Sequence, residues 1–203
     1  MSFSVRPLTA EELSGPLLDQ ALAVFAGALG FPKRHARVTS FAGTISRHAV
    51  YGGFRAFGAF NADPKLVGFS YGYTCVPGRW WRETIARPLT VEQRDYWLAD
   101  AFELAELHVH PAAQGLKLGG QLHDQVMHGL PHQTALLSVM HRSERARHLY
   151  ASRGWLTLVD EMRFPTEPRT PFSLLGLALS GQWSVVSGKW QIRGSAFRLA
   201  TAE

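Results

Sequence analysis

The chain is short of several things, and each shortage excludes a class of protein. It has one cysteine, Cys75, so it forms no intrachain disulfide and holds no cysteine-rich metal cluster. No apolar run approaches the ~20 residues that a membrane-spanning helix needs. The first residues, Met-Ser-Phe-Ser-Val-Arg-Pro, lack the apolar stretch of a signal peptide. The expectation is a cytoplasmic protein with no membrane partner. Nine histidines are present, yet His123 and His128 are five apart, and His108 and His110 merely share a strand face. Neither pair has metal-ligand spacing, so no metal is expected. Lys and Arg total 21 against 16 acidic residues, but they are scattered, with no run of five and no nucleic-acid-binding motif. The net charge of +5 therefore predicts a field that attracts a small polyanion, rather than a nucleic-acid partner.

What is present reads as one α/β domain. With 46% hydrophobic and 18% charged residues, the chain has a globular composition and length enough for a sizeable core. Strands are expected at 3–7, 54–60, 65–74, 134–140, 156–164 and 173–179, and one more running to His110. Helices are expected at 9–13, 17–29 and 34–46, and after 117 and 143. The turn Asn61-Ala62-Asp63-Pro64 makes 54–74 a hairpin. Residues 76–100 read as irregular, rich in aromatics and charge. Strands before, between and after helices predict a twisted mixed sheet flanked by helices. The division expected is a domain over 1–180 and an extension over 181–203 that forms an added hairpin.

The densest information lies in residues 103–120. An apolar strand is stopped by Pro111, a glycine-containing turn follows, and a helix opens with Leu118, Leu122 and Val126 on one face. A strand feeding a helix through such a loop presents free amides and a positive helix end to a phosphate. A Gly-Lys-Ser/Thr nucleotide loop is missing, and glycines 115, 119 and 120 do not fit a dinucleotide fingerprint.

The segment resembles the acyl-CoA loop of the GNAT acetyltransferase superfamily, with Leu107, Val109, Pro111, Gln114 and Gly119 in register. Lys117 departs from it, standing where the first motif glycine usually is. A second stretch agrees: Val139, Ser143, Ala146, Leu149, Tyr150, Gly154 and Trp155 resemble the family's next strand and helix, with Ser143 in place of the usual Asn. The close resemblance covers roughly residues 100–160.

The resemblance implies a GNAT domain whose splayed central strands hold acyl-CoA. It implies acetyl transfer from acetyl-CoA to the amine of a small molecule or peptide, by direct attack and without metal. A protein or aminoacyl-tRNA acceptor is one alternative. A catalytically silent acyl-CoA sensor is another, and a homodimer is left open. Glu103, eleven residues before Gln114, takes the general-base position. Tyr150 takes that of the acid for the leaving thiolate. The Leu107 N–H would face the thioester oxygen, and Val109 and Ser143 the pantetheine arm. Gln114, Gly115, Leu116, Lys117, Leu118, Gly119 and Gly120 would surround the pyrophosphate. Glu106 and His108 are rivals for the base. Strict strand alternation puts both on the face opposite Glu103. Glu106 is also a candidate for substrate contact, and Trp80, Trp81 and Trp97 are candidate walls of the substrate pocket.

Overall fold

The structure, a computed structural model, describes residues 2–179 and, beyond them, only the backbone of two short strands, Trp183–Val186 and Lys189–Ile192. Seven strands form one sheet: β1 (Phe3–Leu8), β2 (Arg55–Asn61), β3 (Leu66–Thr74), β4 (Ala101–Val109), β5 (Thr134–Met140), β6 (Leu156–Phe164) and β7 (Glu167–Ala178). Their spatial order is β1-β2-β3-β4-β5-β7-β6. Every pairing is antiparallel except β4–β5. The two short strands, β8 and β9, pair antiparallel as a separate ladder. We propose 180/181 as the boundary between domain and extension; residues 180–182, 187–188 and 193–203 lie outside the described residues.

Helices cover both faces. On one lie α1 (Ala10–Ser14), α2 (Leu18–Leu29) and α3 (Ala36–Ala49), packed on Phe69, Tyr71 and Tyr73 of β3. Further along the same face lie α4 (Trp80–Ala86) and α5 (Val91–Trp97), whose Ile85 and Trp97 pack on Leu136 and Leu174. The other face carries α6 (Leu118–Met127) and α7 (Glu144–Ala151), with Leu122, Val126 and Tyr150 against Phe102, Leu104 and Leu137.

Local chemistry sets the boundaries. Thr9 and Glu12 form a reciprocal capping box on α1, and Gly30 ends α2 in a left-handed conformation. Residues 76–100 are more regular than their composition suggests. The Thr90-x-x-Gln93 capping box nucleates α5, a signal that the aromatic density there conceals.

One irregularity of β4 overturns the alternation argument. Glu106 pairs with Tyr71 while Leu104 pairs with Gly72, so Ala105 is an extra residue in β4. Such a bulge reverses the facing of everything beyond it. Glu103 pairs with Tyr73 and Glu106 with Tyr71, which share a strand face, so Glu103, Glu106 and His108 lie on the same side. Opposite the bulge, Gly72 leaves no room for a Cβ, whose place is taken by the Phe102 ring and the Glu103 carbonyl.

Candidate active site

β4 and β5 pair over only three positions, Ala101–Glu103 with Thr134–Leu136, and then diverge. Past that point β4 keeps β3 and β5 keeps β7, but the two edges facing each other are unpaired. Which amides point into the gap follows from the ladder. The His110 N–H donates to the Val67 carbonyl at 2.8 Å, so the polar groups of His110 and His108 face β3. Those of Leu107 and Val109 then face the opening. The Val109 carbonyl there accepts from Gln114 Nε2 at 3.0 Å.

At the end of the gap the chain turns through a 3₁₀ turn, Pro111–Ala113, into the loop before α6. Gly115 has φ 80° and Lys117 φ 61°; Lys117 is the only non-glycine in the left-handed region among the described residues. The first residues of α6, Leu118, Gly119 and Gly120, line the cleft. Gln121 is the first to bond back, to the Lys117 carbonyl at 3.1 Å, leaving the amides of 118–120 without helical partners. Gly119 has space beside it, with Leu149 Cδ2 3.8 Å from where a Cβ would sit. Arg145 Nη1 donates to Gln114 Oε1 at 3.1 Å and lines the cleft with Arg142. Leu116 is 44% exposed and outside the cleft lining.

The cleft between these elements and α2–α4 has a volume of about 1620 Å³. Glu103 lines it and is 4% exposed. The Tyr73 hydroxyl donates to its Oε1 at 2.8 Å, and its Oε2 has no partner among the described residues. Burial pushes the Glu103 carboxyl up to about 8, although the Tyr73 hydrogen bond and the Arg79 charge both pull it down. Glu106 Oε2 is 2.6 Å from His108 Nε2. Tyr150 is buried against Trp155 and His123 yet reaches the cleft. Burial, with the Glu106 charge, raises its phenol above the ordinary 10, so the proton is held firmly. Ser143 lines the cleft and precedes α7 without a side-chain cap bond.

The aromatic candidates divide. Trp81 lines the cleft and its Nε1 donates to Ser138 Oγ at 3.2 Å. Trp80 is half-exposed beside Phe164 at the rim. Trp97 is a correction. It lines no part of the cleft, being 3% exposed and packed where a side chain on Gly176 would sit. Sequence reading missed Tyr51, Tyr73, His48 and Arg79. Arg79 stands 3.4 Å above the Tyr51 ring centroid, and the Tyr73 hydroxyl is 3.5 Å from His48 Nε2. The one available signal was Phe69, Tyr71 and Tyr73 recurring on one face of β3. Among the described residues no cluster of three or more metal-ligating side chains occurs, and no helix is long and apolar enough to cross a membrane.

No protein-family model matches the chain. A GCN5-like protein acetyltransferase of Mycobacterium tuberculosis is 32% identical over 129 residues, 58% of this chain. The chain thus matches over 61% of that relative's length. Solved structures agree in fold at much lower identity. A GNAT-family acetyltransferase of Bacillus cereus superposes with a TM-score of 0.57 at 13% identity, over 88% of this chain and 98% of that one. The chain has the fold of GNAT-family acetyltransferases. Two other solved structures extend the comparison. A Salmonella typhimurium protein solved with acetyl-CoA gives a TM-score of 0.59 at 11% identity, over 92% and 99% of the two chains. The spermidine N-acetyltransferase of Vibrio cholerae, solved with CoA and spermine, gives 0.54 at 14%, over 88% and 96%. In this chain the split sheet, the left-handed loop and the buried carboxylate meet in one cleft.

Proposed function

We propose that the protein is an acetyl-CoA-dependent N-acetyltransferase acting on a primary amine of a small molecule or peptide. The observation that carries the reading is the unpaired β4 edge, which runs from a buried carboxylate to a loop of free amides. The residues present fit acyl-CoA. Leu107 and Val109 offer strand-like hydrogen bonds to an amide-containing arm. The amides of 118–120, with Lys117, Arg142 and Arg145, offer a positive cradle to a pyrophosphate. When bound, acetyl-CoA supplies an activated acyl group.

The chain's own residues do the rest. Glu103 takes a proton from the incoming ammonium, directly or through a water at its unpartnered Oε2. Arg79 and the Tyr73 hydroxyl hold the ionised form of Glu103 within reach of neutral pH. The Leu107 N–H points where the carbonyl oxygen gains charge as the C–N bond forms. The Tyr150 phenol donates its proton to the departing sulfur as the C–S bond breaks. The relative's name favours a protein amine as acceptor, and the open cleft admits one.

The test is thiol release from acetyl-CoA against a panel of amines and peptides. Turnover with any member supports the transferase. Tight CoA binding with no turnover would leave an acyl-CoA-binding protein instead.

A further inference from the structure

The cleft is lined by charges of both signs. Lys117, Arg142 and Arg145 line it near the loop before α6, Glu103 and Glu106 along β4, Arg47 and Arg79 near His48, and Arg37 at the other end of α3. These last three cations differ in how they are satisfied. Arg37 makes a bidentate pair with Glu167, at 3.0 and 2.7 Å. Arg47 and Arg79 have no carboxylate within ion-pair distance among the described residues. Arg47 is exposed and reaches only Thr44 Oγ1, at 3.3 Å. Arg79 is half-buried, lies over the Tyr51 and Tyr73 rings, and touches the Thr74 carbonyl at 3.4 Å. Arg47 adjoins His48 in α3, and the His48 ring packs on the Tyr51 and Tyr73 rings that Arg79 covers.

We infer that the acceptor is an acidic amine, carrying a carboxylate on the same molecule as the amine to be acetylated. This inference rests on the transferase reading above. The ammonium end is drawn to Glu103 and Glu106. The carboxylate end meets the planar guanidinium of Arg79, held rigid by its stack on Tyr51, with Arg47 at the rim. A polyamine would bring its remaining charges against two guanidiniums that have no ion-pair partner among the described residues. An uncharged tail would leave Arg79 partly desolvated with no counter-charge.

The experiment measures thiol release from acetyl-CoA with glycine, β-alanine, 4-aminobutyrate and 5-aminopentanoate. Each is paired with its own primary amide, spermidine is added, and rates are normalised to free amine. Cys75 is buried, so a thiol dye sees little of the protein. At least one acid should exceed its amide about tenfold or more in kcat/KM, and spermidine should be slow. Arg79→Gln should shrink that acid-to-amide ratio about tenfold, while Arg79→Lys keeps most of it. Arg47→Glu, at an exposed position that the fold tolerates, should lower the ratio about threefold or more. Spermidine or an amide as the best acceptor overturns the inference and leaves the transferase standing. An unchanged ratio in both folded variants overturns it too. No thiol release with any amine overturns the transferase reading, and this inference with it.

Discussion

The two ends of the cleft are built from different materials. The end proposed for acyl-CoA is made of backbone: the edges of β4 and β5, the left-handed loop and the first turn of α6. The end proposed for the acceptor is made of side chains from α3 and the turn after it, from β3 and β4, and from the residue before α4, held by stacking and hydrogen bonds. A backbone site tolerates sequence change provided the chain keeps its path. A side-chain site is specific and changes with single substitutions. One end therefore suits a reactant shared by many proteins, and the other a reactant peculiar to this one.

The sharpest way to break this contrast is to put a side chain where the backbone site needs none. Gly119→Glu should abolish CoA binding by calorimetry while thermal unfolding stays near wild type, because the position has room beside Leu149. Wild-type protein that does not bind CoA at millimolar concentration would defeat the assignment of this end.

Next in size is Tyr150→Phe, which keeps the ring against Trp155 and removes only the proton. It should lower kcat by roughly 10²–10⁴-fold with CoA affinity unchanged. An unchanged kcat would make Tyr150 a core aromatic.

Glu103→Gln should lower kcat/KM about 10²-fold near pH 8 and remove an acidic limb with a midpoint near 8. His108→Gln is the matched control, since both now lie on one face. If only the histidine variant loses the limb, the base is misassigned. The same carboxyl carries a stability signature. It stays protonated in the fold up to about 8 but ionises near its ordinary 4.5 when unfolded. Folding therefore takes up a proton between those values, and stability falls as pH rises across that window. Glu103→Gln should raise Tm, by little at pH 4.5 and increasingly toward pH 8.

The smallest effect is expected at Lys117, the non-glycine with φ 61°. Lys117→Gly should leave stability within about 1 kcal/mol, on the stabilised side, since relief of the left-handed strain outweighs the added chain entropy. CoA affinity should fall only a few-fold, as the backbone contacts remain.

The same contrast explains what the sequence revealed. The strand–loop–helix at 103–120 and the strand–helix at 134–155 are local patterns, readable from periodicity, a proline stop and glycine spacing. So were the hairpin 54–74 and the mixed sheet. The bulge at Ala105 was not readable, because an extra residue in a strand has no local signature; the glycine opposite it is on β3. Trp97 and Trp81 looked alike in sequence, yet one sits against Gly176 and the other beside Ser138. Arg79, Glu103 and the neighbours His48 and Tyr51 come from three separate segments, and only the folded sheet brings them together.

The three-position seam between β4 and β5 has a mechanical consequence. Among the described residues it is the only ladder joining two otherwise antiparallel half-sheets, β1–β4 and β5–β7. A chain cut between α6 and β5, at the open turn containing Gly129, would yield two pieces, each with its own sheet. Their rejoining would depend on that short seam and on helix packing. A ligand lying along the divergent edges would act as a removable slat between them. Reassembly of the halves would then follow CoA concentration by mass action, making the pair a ligand-gated fragment complementation system.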